Sequence, residues 1–438
     1  MKIMKFGGTS VGSPERMKNV ASLITADEEQ KIVVLSAVSG TTNKLVEIGE
    51  LWKNDDDRLS ARILDLKKSY WVFCDELYSN DTQKKLARMY TDDAFDRISE
   101  IVGYRFSEQG VNEILSKGEL LSTHLFHYYL NERSIENDLL NALKIVHIDD
   151  HHEPDYGKTQ ACLEKSLKGQ ISNIQIIQGY ICSDAEGKIS NLHRGGSDYT
   201  ASLLGSVLKA SEVQIWTDID GMHNNDPRFV GHTEPVAQLS FDEAAELAYF
   251  GAKILHPASI WPAQKNHVPV RLLNTMDPSA KGTIINDDFR EGGVKSIAAK
   301  DNITAIKIKS GRMLLAYGFL RKVFEIFEKY ETAVDMITTS EVAVSLTIDE
   351  TKNLEKIEEE LLRLGTVHID SNQTIVCIVG DMVAEKRGIV DTVFSSLSDI
   401  PLRMISYGGS KHNISILIDS QYKRSALQKL NKGLFDMD

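Results

Sequence analysis

KFGGTSV, at residues 5–11, lies between a short apolar strand and the start of a helix. Gly7 and Gly8 permit backbone angles that are closed to residues with a Cβ, so the chain can approach an anion closely here. Ser13 is a good N-cap and a proline follows it, which predicts a helix start nearby, where backbone N–H groups favour phosphate. The stretch predicts a phosphate-binding loop with Lys5 at its mouth, although an ordinary strand-to-helix turn would also use two glycines.

The loop differs from the common nucleotide-binding motifs. The chain contains no GxxxxGK[ST], no GxGxxG and no HRD catalytic loop. These absences argue against a P-loop, a Rossmann dinucleotide site and a protein-kinase site.

The composition is that of an ordinary globular protein of 438 residues, long enough for two or three domains. A formal net charge of −13 argues against a nucleic-acid or membrane partner, so an anionic ligand must be held by local cations. Four scattered cysteines without a CxxC spacing predict neither a zinc site nor disulfides. With no signal-peptide pattern and no run of about 18 apolar residues, we expect a soluble, unprocessed, cytoplasmic protein.

Residues 1 to about 290 alternate strand-like runs with helical patterns, which is typical of an α/β sheet with helices on its faces. The segment from about 55 to 150 is mostly helical, as in residues 58–77 and 118–131. The clearest strands are predicted at residues 3–6, 32–35, 174–180, 213–217 and 268–273.

The second half carries an internal repeat, in which VDMIT at residues 334–338 matches LRMIS at residues 402–406. A strand and then a helix follow each copy, so the order β-α-β-β-α occurs twice. Two ferredoxin-like modules are the natural interpretation, and one irregular α/β domain is the alternative. We therefore predict domains at residues 1–290, 297–370 and 371–438, and leave open whether the last two interleave.

A second Gly-Gly turn lies in LHRGGSDYT, residues 192–200, and also leads into a helix. Its arginine, Arg194, can grip a carboxylate through two parallel hydrogen bonds, which a lysine cannot do. The alternative is a surface ion pair between Arg194 and Asp198 beside an ordinary turn.

Four further stretches have weaker individual signals. WTDIDGMHNNDPR, residues 216–228, begins at the end of a strand, which is where ligands bind in open α/β sheets. The alternative interpretation of this stretch is a solvated loop. Lys253, in FGAKILHP at residues 250–257, by itself resembles a charge at a helix C-terminus. Glu119, in SKGELLS at residues 116–122, resembles a charge in a first helical turn. DDHHE, residues 149–153, is interpreted as a solvated loop, because adjacent side chains point apart.

Taken together, these stretches resemble the aspartate kinases of the amino-acid kinase superfamily. In the second half, GFL at residues 318–320 and VDMITTSE at residues 334–341 resemble the first of that family's tandem ACT modules. The chain ends without the homoserine dehydrogenase domain of some relatives, so we expect the monofunctional type. The matching stretches, in family order, are residues 5–11, 36–43 (SAVSGTTN), 117–122, 194–200, 216–228 and 250–257.

The resemblance implies a three-layer, carbamate-kinase-like, mostly parallel sheet followed by two ferredoxin-like ACT modules. It implies transfer of the γ-phosphoryl group of ATP, with Mg²⁺, to the β-carboxylate of L-aspartate, at the head of lysine, threonine and methionine synthesis. A carboxylate of pKa about 4 needs no general base, so catalysis must come from positioning and charge neutralisation. Regulation by an amino acid is expected, with lysine as one candidate, and so is a homodimer through the ACT modules.

The resemblance also assigns roles to individual residues. The catalytic residues would be Lys5, Lys253 and Asp198, and no metal site made of protein groups alone is expected. Aspartate would be bound by Ser39, Thr42, Glu119, Arg194, Gly195 and Ser197. The nucleotide would be bound by Lys5, Gly7, Gly8, Thr9, Thr217, Asp218, His223, Asp226, Arg228, Lys253 and Ile254. The effector would contact Met313, Gly318, Phe319, Leu320, Val334, Asp335, Ser340 and Glu341.

Two other functions compete with this one. A kinase for another small acid, such as glutamate or N-acetylglutamate, would share the superfamily, but those relatives do not combine this start with tandem ACT modules. A non-catalytic amino-acid sensor would use the first domain only as a scaffold. The presence of Lys5, Arg194, Asp198 and Lys253 argues against a sensor, because a scaffold needs no paired cation sites.

Overall fold

The computed structural model describes residues 1–169, 172–192, 195–251, 255–288, 293–311, 317–381 and 385–437. The chain divides into two compact units, Met1–Met222 with Ile254–Asp288, and His223–Lys253 with Phe289–Asp438. The predicted boundary near residue 290 lies close to the second junction. Residues 223–253, which we predicted within the first domain, group with the second unit instead.

The elements follow one another in the order that the sequence patterns indicate. The strands are β1 (Lys2–Phe6), β2 (Lys31–Leu35), β3 (Asp138–Leu139), β4 (Ile174–Gln178), β5 (Ile181–Ser183), β6 (Ile189–Asn191), β7 (Glu212–Thr217), β8 (Gln238–Ser240), β9 (Val270–Asn274), β10 (Thr283–Asn286), β11 (Val294–Lys309), β12 (Ile337–Thr339), β13 (Ala343–Ile348), β14 (Thr366–Gly380), β15 (Leu402–Tyr407) and β16 (Asn413–Asp419). The helices are α1 (Pro14–Ile24), α2 (Thr41–Lys53), α3 (Leu59–Leu77), α4 (Asp81–Val102), α5 (Glu108–Glu132), α6 (Ala142–Ile145), α7 (Tyr156–Leu167), α8 (Gly196–Leu208), α9 (Phe241–Tyr249), α10 (Trp261–Lys265), α11 (Phe319–Lys329), α12 (Leu354–Leu361), α13 (Ile389–Ser396) and α14 (Lys423–Phe435), with 3₁₀ turns at Pro257–Ile260 and Ser420–Tyr422.

A mostly parallel sheet forms the centre of the first unit, as expected for the α/β class. Its strands in this unit lie in the order β3-β4-β2-β1-β7-β9-β10, with parallel pairing up to β9 and antiparallel pairing between β9 and β10. All five residues of β2 are buried, which is typical of a strand covered on both faces. Helices α3 to α5 contribute to one core with the sheet, through residues such as Phe95 and Phe126. This is the helical excursion predicted between about 55 and 150.

The second unit contains a six-stranded antiparallel sheet in the order β12-β13-β11-β14-β16-β15. Residues 304–309 of β11 pair with β13 and, in part, with residues 366–370 of β14, whereas residues 294–300 pair with residues 375–380. Each half of the sheet is thus a four-stranded ferredoxin-like module with its own core. The first half of β11 completes the module that is otherwise built from residues after 370, so the two modules interleave.

None of the helices in the described part of the chain has both the length and the apolar composition needed to cross a bilayer.

Candidate functional site

The 5–11 loop begins where two neighbouring strands end. β1 and β7 are parallel neighbours, so their carboxyl ends meet at one edge of the sheet. There the rings of Phe6 and Trp216 stack with centroids 5.8 Å apart, and the Gly7 N–H donates to the Trp216 carbonyl over 3.3 Å. The loop therefore lies beside Thr217, the last residue of β7.

The glycines of this loop allow close packing against residues 36–39. A Cβ on Gly8 would lie 3.0 Å from the Ala37 carbonyl oxygen, and one on Gly12 would lie 3.0 Å from Ser39 Cβ. Ser10 also follows the two glycines, but it is buried, and its hydroxyl lies 2.8 Å from that of Thr275. The Ser10 hydroxyl therefore contributes to packing inside the protein.

One cation of the loop was missed in the sequence. The Arg16 guanidinium donates to the Thr9 carbonyl over 2.9 Å, while its backbone N–H donates to the Ser13 cap over 3.3 Å. Arg16 therefore holds the loop to the start of α1. The available signal was its position, three residues after the N-cap, where a side chain can reach back to the loop.

Lys5 and Asp198 form an ion pair between the two Gly-Gly turns. The Lys5 ammonium lies 2.6 Å from Asp198 Oδ1, and their side chains are only 11% and 13% exposed. Asp198 stands in the first turn of α8, after the N-cap Gly195 at φ 73°. A Cβ on Gly195 would lie 2.7 Å from His256 Cβ. Asp198 thus pairs with a lysine far away in the sequence, and Arg194, its predicted alternative partner, lies outside the described residues.

Glu119 differs most from its sequence interpretation. It lies in the middle of α5, which begins at Glu108, and is therefore not a charge in a first helical turn. Its carboxyl is buried, Oε1 accepts a 3.3 Å hydrogen bond from the Ala37 N–H, and Oε2 has no hydrogen-bond partner among the described residues. Burial raises the pKa of Glu119 to about 8, against a weaker opposing effect of the Ala37 N–H. A buried, incompletely bonded carboxyl group is suited to receive a cation.

One cavity of about 850 Å³ in the first unit collects most of these groups. Tyr180, Asn43 and Asn191 also line it and were missed; Tyr180 adopts φ 66°, and its N–H donates to Thr200. Asn43 ends the stretch at residues 36–43, whereas nothing in the local sequence marks Tyr180 and Asn191, because strand pairing and helix packing bring them to the cavity. The predicted site residues that line the cavity are Lys5, Gly8, Thr9, Ser39, Thr42, Glu119, Gly195, Ser197 and Asp198.

The residues predicted to bind nucleotide divide between the two units. Thr217 and Asp218 lie at the carboxyl end of β7, joined by a 3.2 Å hydrogen bond. In the second unit, the Arg228 guanidinium contacts the Asp226 carboxylate at 2.6 Å. Burial alone would raise the pKa of Asp226, but the hydrogen bonds from Arg228 outweigh it and lower the pKa. His223 Nδ1 lies 2.8 Å from the Thr233 hydroxyl.

The residues predicted to bind an effector lie around the start of α11 and strand β12. Gly318, at φ 81°, is the N-cap of α11, and Phe319 is buried beneath it. The side chain of Asp335 is buried, with its carboxylate 2.7 Å from the Lys300 ammonium and 2.8 Å from the Tyr249 hydroxyl. The Ser340 N–H donates to the Ala343 carbonyl. Leu320, Ser340 and Glu341 are exposed, and Val334 is half-buried.

Four of the predicted site residues, Arg194, Lys253, Ile254 and Met313, lie outside the described residues. In the described ranges, no group of three His, Cys, Asp or Glu side chains is arranged to hold a metal ion.

The sequence and the fold are similar to those of known proteins. Residues 1–274 match the amino acid kinase family, and residues 376–434 match an ACT domain. The chain is 33% identical to lysine-sensitive aspartokinase 3 of Escherichia coli over 99% of both chains. It is 35% identical to the chloroplastic aspartokinase 1 of Arabidopsis thaliana, covering 99% of this chain and 80% of that one.

The solved structures agree with the sequence relatives. The structure of E. coli aspartokinase III in complex with aspartate and ADP matches with a TM-score of 0.84 at 33% identity, covering 99% of this chain and all of that one. The structure of the same protein with lysine and aspartate, described as its T-state, also matches with a TM-score of 0.84 and covers 99% of both chains.

Proposed function

The chain belongs to the aspartokinases of the amino acid kinase family, and we propose that it uses the cavity around Lys5 to phosphorylate L-aspartate. The reaction is the conversion of ATP and L-aspartate to ADP and 4-phospho-L-aspartate. The observation that carries the assignment of the site is the Lys5–Asp198 ion pair, which shares one cavity with the buried carboxyl of Glu119.

The chemistry requires charge neutralisation more than proton transfer. A β-carboxylate oxygen of aspartate attacks the γ-phosphorus, and the bond to the β-phosphate oxygen of ADP breaks with its electron pair. The attacking carboxylate is already ionised near neutral pH, so no general base is needed. Lys5 balances the negative charge of the transferring group, and Asp198 fixes the direction of the Lys5 ammonium. Gly8 and Thr9 offer backbone N–H groups at the same mouth, whereas the Gly7 N–H is held by the Trp216 carbonyl.

Aspartate has three charged groups, and we propose a partner for each. Glu119 would receive the α-ammonium group, becoming ionised as the cation enters. Arg194 would clamp the α-carboxylate, with Ser39, Thr42 and the N–H groups of Gly195 and Ser197 completing the pocket. The β-carboxylate would then point towards Lys5 and Lys253.

The nucleotide would bind through Thr217, Asp218, Asp226 and Arg228, with further contacts from His223, Lys253 and Ile254. Mg²⁺ usually binds to one or two carboxylates together with substrate phosphates and water, rather than to a cage of protein groups. Asp198 fits that requirement, because it is a carboxylate beside the phosphate loop and no multi-carboxylate cluster occurs among the described residues. Mg²⁺ bound there would neutralise phosphate charge.

We assign phosphoryl transfer to residues 1–290 and regulation to the two interleaved modules, which the sequence alone placed at residues 297–370 and 371–438. An amino acid from the pathway that begins with aspartate, with lysine, threonine and methionine as candidates, would bind near Asp335 and Glu341. The lysine complex of the E. coli relative supports lysine first. We further propose a homodimer through the ACT modules and, because the described cysteines are free thiols, a cytoplasmic location.

Aspartate-dependent release of ADP by the full chain, with hydroxylamine trapping of the acyl phosphate, tests the function. Removing one preorganised charge costs about 10²–10³-fold in rate, so Lys5→Ala should lower kcat by at least that factor. Lys2→Ala is the matched control, because Lys2 lies on the same strand and pairs with the surface residues Asp27 and Glu29. Unchanged turnover of Lys5→Ala would refute the role of Lys5.

Two other outcomes would favour the competing functions. Stronger turnover with glutamate than with aspartate would make the protein a kinase for another acid. Binding of an amino acid without any ATP turnover would make it a sensor.

A further inference from the structure

The loop at residues 223–235 carries two of the residues assigned to the nucleotide, Asp226 and Arg228, and has a defined internal structure. His223 and Pro235 form an antiparallel bridge. The Asn224 N–H donates to the Glu234 carbonyl, and the Glu234 N–H donates back to Asn224 Oδ1, both over 2.9 Å. The loop is therefore a hairpin-like segment that is closed at its base.

The C-terminal helix α14 holds this loop through buried amide side chains. Asn225 Nδ2 donates to the Leu427 carbonyl and to Asn431 Oδ1, each over 3.1 Å. Asn431 Nδ2 donates in turn to the His232 carbonyl over 3.3 Å. Asn225 and Asn431 are 3% and 0% exposed, so water does not replace these bonds.

Asn225 also connects this contact to Asp226. Its Oδ1 accepts the Asp226 N–H over 2.9 Å, while its Nδ2 is bound to α14. One amide therefore links Asn431 to the backbone of Asp226, whose carboxylate pairs with Arg228. Two further contacts anchor the loop, because Gln428 Nε2 donates to the Phe229 carbonyl and Val230 is buried in the core of the second module.

Strand β11 holds the other side of the loop. The Ser296 hydroxyl donates to the His223 carbonyl over 2.7 Å, and the Ile297 N–H donates to the Asn224 carbonyl over 2.8 Å. Both residues lie in the half of β11 that completes the second module. Every anchor named for the loop thus comes from one module, the one that contains α14.

We propose that Asn431, acting through Asn225, is a positioning residue for nucleotide binding, so that the second ACT module sets the affinity for ATP. The proposal rests on the proposed role of Asp226 and Arg228 in holding the nucleotide. A buried amide that loses its partner leaves unsatisfied groups, and the loop then relaxes towards other conformations. A smaller fraction of the molecules then has the loop in the conformation that binds the nucleotide, and the apparent affinity for the nucleotide falls by that fraction.

Steady-state kinetics and calorimetry on the full chain test the proposal. In Asn431→Ala we expect about a tenfold rise in the KM for ATP and in the Kd for ADP, which is the scale of one lost buried hydrogen bond. The kcat and the KM for aspartate should stay within about threefold. Asn353→Ala is the matched control, because the Asn353 amide also donates to a backbone carbonyl, that of Tyr330, but lies in the first module.

A double-mutant comparison separates positioning from general damage. If Asn431 acts mainly through Asn225, the Asn225→Ala/Asn431→Ala variant should show a KM for ATP within about twofold of that of Asn225→Ala alone, the remainder coming from the bond of Asn431 to His232. Gln428→Ala, at an exposed position, provides a milder variant that keeps the fold should the buried ones unfold, and it should raise the Kd for ADP about two- to threefold. Thermal denaturation confirms which variants are folded.

The outcomes also distinguish this proposal from the proposed function. Folded Asn431→Ala and Gln428→Ala variants with the wild-type Kd for ADP would overturn the positioning role, even if aspartate is phosphorylated. A wild-type chain that binds ADP but does not phosphorylate aspartate would overturn the proposed function, while the ADP measurements would still decide the role of Asn431. A wild-type chain that does not bind ADP would overturn both.

Discussion

Glu119 has a carboxyl group that is less acidic in the folded chain than in water. Burial raises its pKa from 4.5 to about 8. Between these values the folded chain keeps a proton that the unfolded chain releases, so rising pH favours unfolding. The contribution to stability is fully present below pH 4.5 and is lost as the pH rises through 8.

Glu119→Gln should remove this dependence on pH, because glutamine stays neutral. We expect the urea midpoint of the wild type to fall relative to that of the variant between pH 5 and 8, by an amount equivalent to a few kcal/mol in free energy of unfolding. Glu113→Gln on the same helix is the control, because Arg97 holds the pKa of Glu113 below its usual value. Parallel curves for the wild type and Glu119→Gln would contradict the raised pKa.

The residue types of the site could be predicted from the sequence, but not all of their partners. Lys5, Asp198 and Glu119 stand in distinctive local patterns. Their burial and contacts depend on strands and helices far apart in the chain, as in the Lys5–Asp198 pair. Glu119 was placed at a helix start because the helical pattern was taken to begin at residue 118. In the fold Gly118 is helical, and its missing Cβ, which would lie 3.0 Å from Ala37 Cβ, lets α5 approach the cavity.

At the scale of elements, the packing of α8 on β7 determines where Asp198 lies. Gly205 of α8 faces Val213 of β7 so closely that a Cβ would overlap the valine side chain. Gly205→Ala should therefore push α8 away from the sheet and destabilise the chain by about 1–3 kcal/mol. Because α8 carries Asp198, kcat should fall as well.

Gly157→Ala on the exposed face of α7 is the matched control for this prediction. Its added Cβ would meet only the Asp155 side chain at 3.7 Å, so better helix propensity should stabilise it by about 0.5–1 kcal/mol. Thermal denaturation of both variants measures whether each substitution lowers or raises the stability of the chain. Equal effects on stability would contradict the close packing at Gly205.

Most element positions could be predicted from hydrophobic patterns, whereas the pairing between distant strands could not. The strands predicted at residues 32–35 and 213–217 occur within one residue of those limits. The sixteen residues of β11 form one strand, yet its two halves complete different modules. Strand register between such distant segments depends on the assembled sheet, which local periodicity does not encode.

At the scale of the whole molecule, the grouping of residues 223–253 with the ACT modules changes how regulation can reach the chemistry. This segment includes both the loop that carries Asp226 and helix α9, which ends at Tyr249. The sequence offers no reason to separate residues 223–253 from the first domain, because the alternation of strand and helix patterns continues through them. Its grouping depends on the contacts of Asn225, Val230 and Tyr249 with residues beyond 300.

Asp335 is the group in the first module best placed to sense an amino-acid effector. Its side chain is buried, and Oδ2 has no hydrogen-bond partner among the described residues, while Oδ1 contacts Lys300 and Tyr249. Lys300 also lies 2.8 Å from Asp349. If the ammonium group of an effector replaces Lys300 at Asp335, Lys300 can therefore keep Asp349 as its carboxylate partner. This second partner lowers the free-energy cost of replacing Lys300.

Titration of the wild-type kinase activity with lysine, threonine and methionine should reveal at least one inhibitor, with lysine as the first candidate. Asp335→Asn should raise the inhibitor concentration needed for half-inhibition by more than tenfold, because a neutral amide attracts an ammonium group far less than a buried carboxylate does. Asp370→Asn is the matched control, because Asp370 forms an exposed ion pair with Arg403 in the same sheet. Unaltered inhibition of Asp335→Asn would show that the effector binds elsewhere, and Asp335 would then serve only to hold Tyr249 and Lys300.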